Sequence, residues 1–383
     1  MAKSRNAKSA AHLPRDRKDK FDTRGVTRLT IKQLLSFSEV DFEFCSGVNV
    51  LIGENSTGKT QVLKLIYCIL RAGELYRLKQ PAEQGAKPPP YLTNKLNAVF
   101  RPDDEKTGRL IRRGAGRRNG SATLRWHRNE KMEIAVSTVG KVTRTLPKNA
   151  PPPSIFIPSR EVLAMFPGFI AAYEGRELSF DETYYDLAKA MSAAPLRGPR
   201  GENASSLIKP LLSMLSGRIV LQSGRFHLAS HDGNLEASLL SEGLRKLGTL
   251  AHLIANGALG RHTVLLWDEP EASLNPKAVT VVARLLLMLA SQGVQVFIAT
   301  HDFLLSQELS LAAEYKTKPI VPIRFFALAR QRAGGVAVSA ADTLPALEGN
   351  PILQEFAAHY DREQTLFAAS AAANGEGNAD KDR

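Results

Sequence analysis

Gly53-Glu54-Asn55-Ser56-Thr57-Gly58-Lys59-Thr60 fits G-x-x-x-x-G-K-[ST] at every fixed position. Its flanks constrain the fold as much as the motif does. The apolar, β-type run Val48-Asn49-Val50-Leu51-Ile52 precedes it, and Val62, Leu63, Leu65, Ile66, Ile69 and Leu70 follow at helical spacing. Strand, glycine turn and helix in that order is the setting of a P-loop. Glycines let backbone wrap an anion, and amides at the helix start face its phosphates. In that reading residues 53–60 form the cradle, Lys59 reaches the β and γ phosphates, and Thr60 holds Mg²⁺.

The chain has 383 residues, enough for two modest domains or one large domain with an inserted lobe. Its formal charge of +13 favours an acidic partner such as nucleic acid, or serves solubility alone. Cys45 and Cys68 have neither metal-ligand nor disulfide-framework spacing and read as reduced thiols. The first residues are polar and basic, without a secretory h-region, and the longest apolar run, Val279 to Ala290, is interrupted by Arg284. A soluble, cytoplasmic protein without a membrane partner is expected.

Along the chain, residues 1–25 read as a disordered basic tail, either a binding arm or a solvated leader. Residues 26–95 carry alternating strands (Val40, Phe42 and Phe44 against Asp41 and Glu43), the P-loop, its helix to about Leu78 and a proline-rich loop over 80–95. Residues 96–240 read as an inserted lobe. A β-meander with turns at Asn119-Gly120, Asn129-Glu130 and Gly140-Lys141 comes first, then helices over 161–216, then a weak hairpin over 217–235. Arginines crowd residues 109–128. Residues 241–369 alternate helix and buried strand: a helix from Ser241 to Ala255, a strand from Thr263 to Trp267, a helix from Pro276 to Ser291 and a strand from Val294 to Ala299. Residues 370–383 read as a disordered tail. The expected fold is α/β, a mixed, mostly parallel sheet flanked by helices, with no long coiled coil.

The strand Val264-Leu265-Leu266-Trp267 delivers Asp268 and Glu269 at its C-terminal end, where α/β sheets bind ligands. Asp268 suits a Mg²⁺ shell, and Glu269, pointing the other way, suits a general base for an attacking water. An ordinary strand end capped by acids is the plainer alternative. Three further elements hold a fixed order: Ser241-Glu242-Gly243-Leu244-Arg245-Lys246 upstream, Glu271-Ala272-Ser273-Leu274-Asn275-Pro276 immediately after the acidic pair, and Thr300-His301-Asp302 after the next apolar strand.

This order resembles the ABC-type ATPases: Walker A, signature, Walker B, D-loop and switch histidine. Asp268-Glu269-Pro270-Glu271 brings the chain nearest the SMC/RecF/OLD-like branch, including stand-alone AAA-type ATPases of bacterial anti-phage systems. The resemblance covers residues 26–78 and 217–304 well and the rest loosely. It implies ATP as ligand, an ATP hydrolase, and heads that close face to face as a homodimer or higher oligomer. Ser241 and Gly243 would then meet the γ-phosphate held by the other head, and His301 would sense that phosphate. Ser241 equally reads as a helix N-cap with Arg245 on the exposed face. The signature departs from Ser-Gly-Gly, and no clear Q-loop glutamine is present. Arg160 stands near the Q-loop's place and reads either as a nucleotide contact or as a structural arginine.

After His301 no paired acids with nuclease spacing follow, so the resemblance implies a separate effector, a nuclease or toxin, controlled in anti-phage defence. A RecF-like ATP-gated DNA-binding protein of DNA repair is the alternative. A transporter subunit and a slow-turnover scaffold are further classes; the modified signature and basic tail argue against the transporter.

Overall fold

The computed structural model describes residues 25–78, 90–114, 116–331 and 334–379. In chain order the elements are β1 (Val26–Leu34), β2 (Phe37–Glu43), β3 (Val48–Gly53), α1 (Lys59–Leu78), α2 (Tyr91–Phe100), β4 (Asn119–Trp126), β5 (Glu130–Ser137), β6 (Val142–Arg144) and β7 (Ser154–Ile157). Then come α3 (Phe169–Glu174), α4 (Glu182–Met191), α5 (Gly198–Leu215), β8 (Gly217–Gln222), β9 (Arg225–Ser230), β10 (Gly233–Glu236), α6 (Glu242–Ala255), β11 (Val264–Asp268) and α7 (Pro276–Ser291). The chain continues with β12 (Gln295–Thr300), α8 (Phe303–Glu314), β13 (Ile323–Arg330), β14 (Val336–Ala341) and α9 (Pro351–Ala379).

A six-stranded sheet in the order β14-β13-β3-β12-β11-β7 carries the P-loop strand near its centre. Its strands are parallel except the edge strand β14. Both faces are covered, which is why these strands read as continuous apolar runs. Val50, Ile52, Leu265, Trp267 and Ile298 enter one core with α4–α8. Their neighbours Leu51, Leu266, Phe297 and Phe326 enter a second core, shared with α1. The period-two alternation of a strand thus separates two cores across one sheet.

The second core is closed by an antiparallel sheet, β2-β1-β4-β5-β6. Helix α1 lies between the two sheets and is buried from Val62 to Leu70 except at Lys64. Strands 119–144, read as part of an inserted lobe, therefore extend the sheet of β1, which pairs with β4. Asn119-Gly120, expected as a turn, opens β4: a Cβ on Gly120 would stand 2.5 Å from Gln33 O, so glycine permits the close strand approach. The turns expected at Asn129-Glu130 and Gly140-Lys141 are present, with φ of 57° at Asn129 and 81° at Gly140. Gln295 ties the two sheets together, accepting from Val26 N–H at 2.7 Å and donating to Val26 O at 2.8 Å and Cys45 O at 2.7 Å.

The 217–235 segment is three-stranded, β10-β9-β8. Within the loop expected at 80–95, Tyr91 onward is helix; Pro90 stands just before α2, where its missing N–H costs nothing. Residues 370–379, expected in a disordered tail, continue α9. Alanines at 368, 369 and 371–373, the strongest helix formers, favour the extension as far as residue 373. The basic segment 1–24 and the last four residues lie outside the described residues. Cys45 and Cys68 are both free thiols. Among the described residues no helix is long and apolar enough to cross a membrane.

Candidate active site

The turn after β3 is held from three sides. Ser56 and Gly58 adopt left-handed backbone, with φ of 62° and 99°. A Cβ on Gly58 would stand 2.8 Å from Phe37 Cζ, and one on Gly53 would stand 2.5 Å from Leu328 O. Glycine is therefore required at both places. Arg330, at the end of β13, donates to Ser56 O at 3.2 Å. Lys59 is buried and its Nζ donates to Gly53 O at 2.6 Å and Glu54 O at 2.9 Å, bridging the turn. Burial lowers its pKa, and Glu269 and Asp268 oppose that shift.

Walker B meets Walker A directly. Thr60 Oγ1 donates to Asp268, 2.8 Å from Oδ1 and 3.1 Å from Oδ2, although 208 residues separate them. The parallel register places β11 one strand beyond β12, so Asp268 emerges beside the first turn of α1. Burial pushes the Asp268 carboxyl up to about 6, against the Thr60 hydrogen bond. A hydroxyl and a buried carboxylate, both oxygen donors at a phosphate cradle, fit Mg²⁺, which keeps several waters and takes few protein ligands.

Glu269 leaves the strand with φ of 47°, and its N–H donates to Ala299 O at 2.9 Å. Its Oε1 lies 3.5 Å from His301 Nδ1. Glu271 is buried and accepts from Thr300 Oγ1 at 2.7 Å and His301 N–H at 3.3 Å. Burial raises its pKa. Asp302 caps α8 through Leu305 N–H at 2.7 Å. A cavity of about 200 Å³ is lined by Asn55, Ser56, Gly58, Lys59, Thr60, Gln61 and Glu269. A larger cavity, about 870 Å³, lies elsewhere, between α2 and the 173–180 segment.

Ser241 and Gly243 do not line the P-loop cavity. Ser241 is exposed and caps α6, accepting from Leu244 N–H at 3.4 Å. Gly243 is buried against the D-loop, where a Cβ would stand 2.6 Å from Ser273 O. Arg245, read on an exposed face, is instead ion-paired with Glu161 at 2.8 Å and donates to Leu240 O at 2.6 Å. Arg160 is exposed and lines a cavity of about 470 Å³ with Lys64, Asp181 and Tyr184.

Sequence reasoning missed Arg330, Glu271 as the support of His301, and Lys246. Glu271 was legible as the last acid of Asp268-Glu269-Pro270-Glu271. Arg330 and Lys246 carry no local signal, since basic residues at a strand end or on a helix read as solvated.

Fold and site together define a P-loop ATPase with a head like that of SMC proteins. Residues 48–306 match the family described as "AAA domain, putative AbiEii toxin, Type IV TA system", and the chain belongs to it. Among solved structures, the SMC head bound to the C-winged helix domain of ScpA superposes with a TM-score of 0.54 at 14% identity, covering 84% of this chain and 99% of that one. The SMC head domain from Thermotoga maritima gives 0.45 at 15% identity, covering 83% and 100%. The DNA replication and repair protein RecF of Halalkalibacterium halodurans is 47% identical over 47 residues, 12% of this chain. That match spans 13% of the RecF protein's length.

Proposed function

We propose that this chain is a Mg²⁺-dependent ATP hydrolase whose heads close face to face on nucleotide and thereby control a separate effector, a nuclease or toxin, in anti-phage defence. The observation that carries the hydrolase reading is the meeting of Thr60 with Asp268 beside Lys59, with Glu269 lining the same cavity. Residues 53–60 hold the phosphates through backbone amides, and Lys59 exchanges its two carbonyl partners for phosphate oxygens. Thr60 and Asp268 hold Mg²⁺, which supplies charge neutralisation when bound. Glu269 takes the proton of a water attacking the γ-phosphorus; the bond from phosphorus to the bridging oxygen breaks, giving ADP and phosphate. His301 is the proposed γ-phosphate contact; its side chain lies beside Glu269 and its backbone N–H donates to Glu271. Arg160 is a candidate nucleotide contact from the segment after β7.

Closure in trans is supported by the exposure of Ser241 at a helix start, where an anion binds well. A role in a toxin-based system is supported by the family's description, which names a putative toxin of a type IV toxin–antitoxin system. The test is the solution mass of Glu269→Gln with and without ATP and Mg²⁺. An ATP-dependent doubling is expected; a mass that ATP leaves at the monomer value would sink closure.

A RecF-like ATP-gated DNA clamp is the second reading, favoured by the local RecF match. Several cations of the antiparallel sheet side already have acidic partners: Lys32 with Glu39, Arg109 with Asp103 and Lys131 with Glu133. Duplex DNA added to the same measurement separates the readings. A further, steeply salt-dependent mass increase supports the clamp.

A further inference from the structure

We propose that Lys246 is a positioning residue that sets the posture of Glu269, joining the signature helix to the site of proton removal. The proposal rests on the reading of Glu269 as the general base.

Lys246 is 2% exposed, in the interior of α6 and next to the fully apolar Leu247. An ammonium at such a place is costly unless a specific partner compensates it. Its Nζ donates to the backbone oxygen of Glu269 at 3.2 Å. The carboxylates around it are Glu242, Glu271, Glu269 and Asp268, the acids of the signature and of the Walker B turn. Glu271 Oε2 is buried without a hydrogen bond of its own.

The target of the contact is unusual. Glu269 has φ of 47°, a left-handed conformation that a side-chain-bearing residue holds only where its surroundings impose it. Three hydrogen bonds flank that conformation. The N–H is tied to Ala299 O on β12, and the C=O accepts both from Lys246 on α6 and, at 3.2 Å, from Ala272 N–H in its own turn. Lys246 is what ties this carbonyl to α6; without it the turn keeps only its local bond, and the carboxylate shifts within the cavity it lines with Lys59 and Thr60.

Helix α6 grips the same segment a second time. Gly243 packs so closely on Ser273 that no Cβ fits between them. The helix thus holds the chain from Glu269 to Ser273 at both ends, while its exposed start presents Ser241. Contact at Ser241 and the aim of Glu269 are mechanically joined through one rigid element.

The test measures steady-state ATP hydrolysis, melting temperature and solution mass for Lys246→Met, Lys246→Arg and Lys246→Gln, with Glu269→Gln as reference. Lys246→Met is expected to lower kcat tenfold or more, since a displacement of about 1 Å can cost about 100-fold. KM should stay within about threefold and Lys246→Arg, which keeps a donor, should recover most of the rate. Lys246→Met combined with Glu269→Gln should still show the ATP-dependent mass increase. If the methionine variant melts below the assay temperature, Lys246→Gln, whose nitrogen is uncharged and one bond nearer the backbone than that of lysine, gives the same split. A folded variant with unchanged kcat, while Glu269→Gln remains impaired, overturns Lys246 alone. Loss of kcat, KM and melting temperature together without arginine rescue also overturns it, as a purely structural lysine. Wild-type kcat in Glu269→Gln overturns the base reading and this proposal with it.

Discussion

The P-loop half of the site and the signature half differ in how far they are assembled within one chain. Thr60, Asp268, Glu269 and His301 come from three segments and already lie in two contacting pairs, Thr60 with Asp268 and Glu269 with His301. Lys59 has two carbonyl partners at short range. Ser241 is exposed, and its hydroxyl makes one long contact, 3.4 Å, to its own helix. The difference teaches where the remaining binding capacity resides. The first half is preorganised by the parallel sheet, whereas the second points a polar helix start outward, with its support (Lys246, Arg245, Gly243) turned inward.

Substitutions can separate the halves. Lys59→Ala strikes only the first and should have the largest effect. It removes charge-assisted bonds of about 1.5–3 kcal/mol each, so ATP affinity by calorimetry should fall about 100-fold or more; normal affinity would contradict the P-loop reading. Ser241→Arg strikes only the second. Affinity of the single head for ATP should stay within about threefold, while the ATP-dependent mass increase of Glu269→Gln disappears. If that double variant still assembles, the signature half has no role in trans.

Asp268→Asn probes how tightly the first half is strung. Burial raises the folded-state pKa of Asp268 from the ordinary 3.8 to about 6. Between those values the folded state binds more protons than the unfolded one, so stability falls as pH rises through that window. Asn carries no such penalty. In EDTA, Asp268→Asn should therefore be more stable than wild type at pH 7.5, by up to about 3 kcal/mol, and the gap should close towards pH 4. A gap that is the same at both pH values would show that buried charge is not its source.

How much of this was legible varies by segment. Helix α7, Pro276–Ser291, could be bounded at both ends because Asn275 caps it, Pro276 opens it and Gly293 follows soon after. The P-loop and the Asp268-Glu269 pair were legible for a related reason: their chemistry is carried by contiguous residues. What stayed hidden is long-range. β4 reads as a strand, yet nothing local says that it pairs with β1. β13 joins β3 from 275 residues away (Val48↔Ile323), and with it arrives Arg330 on the P-loop. Lys246 was hidden by the opposite error, since a lysine on a helix reads as solvent-facing until a tertiary partner is known.

The smallest effect expected is at Gln295, which belongs to neither half. It sits at the far end of β12 from Thr300 and His301, is 4% exposed, and makes three hydrogen bonds, two to Val26 of β1 and one to Cys45 in the link from β2 to β3. A Cβ on Gly25 would stand 2.3 Å from Gln295 Oε1, so the glycine leaves room for the amide there. Gln295→Ala leaves the Val26 N–H and the Cys45 carbonyl without that partner. An unsatisfied buried group costs about 1–3 kcal/mol, and water entering the vacated space reduces that towards the lower end. Denaturant unfolding should show a loss of about 1–2 kcal/mol with ATP affinity and assembly unchanged. A loss of affinity comparable to that of Lys59→Ala would mean that the sheet-to-sheet junction sets the geometry of the P-loop half, and that this half is less self-contained than its internal hydrogen bonds imply.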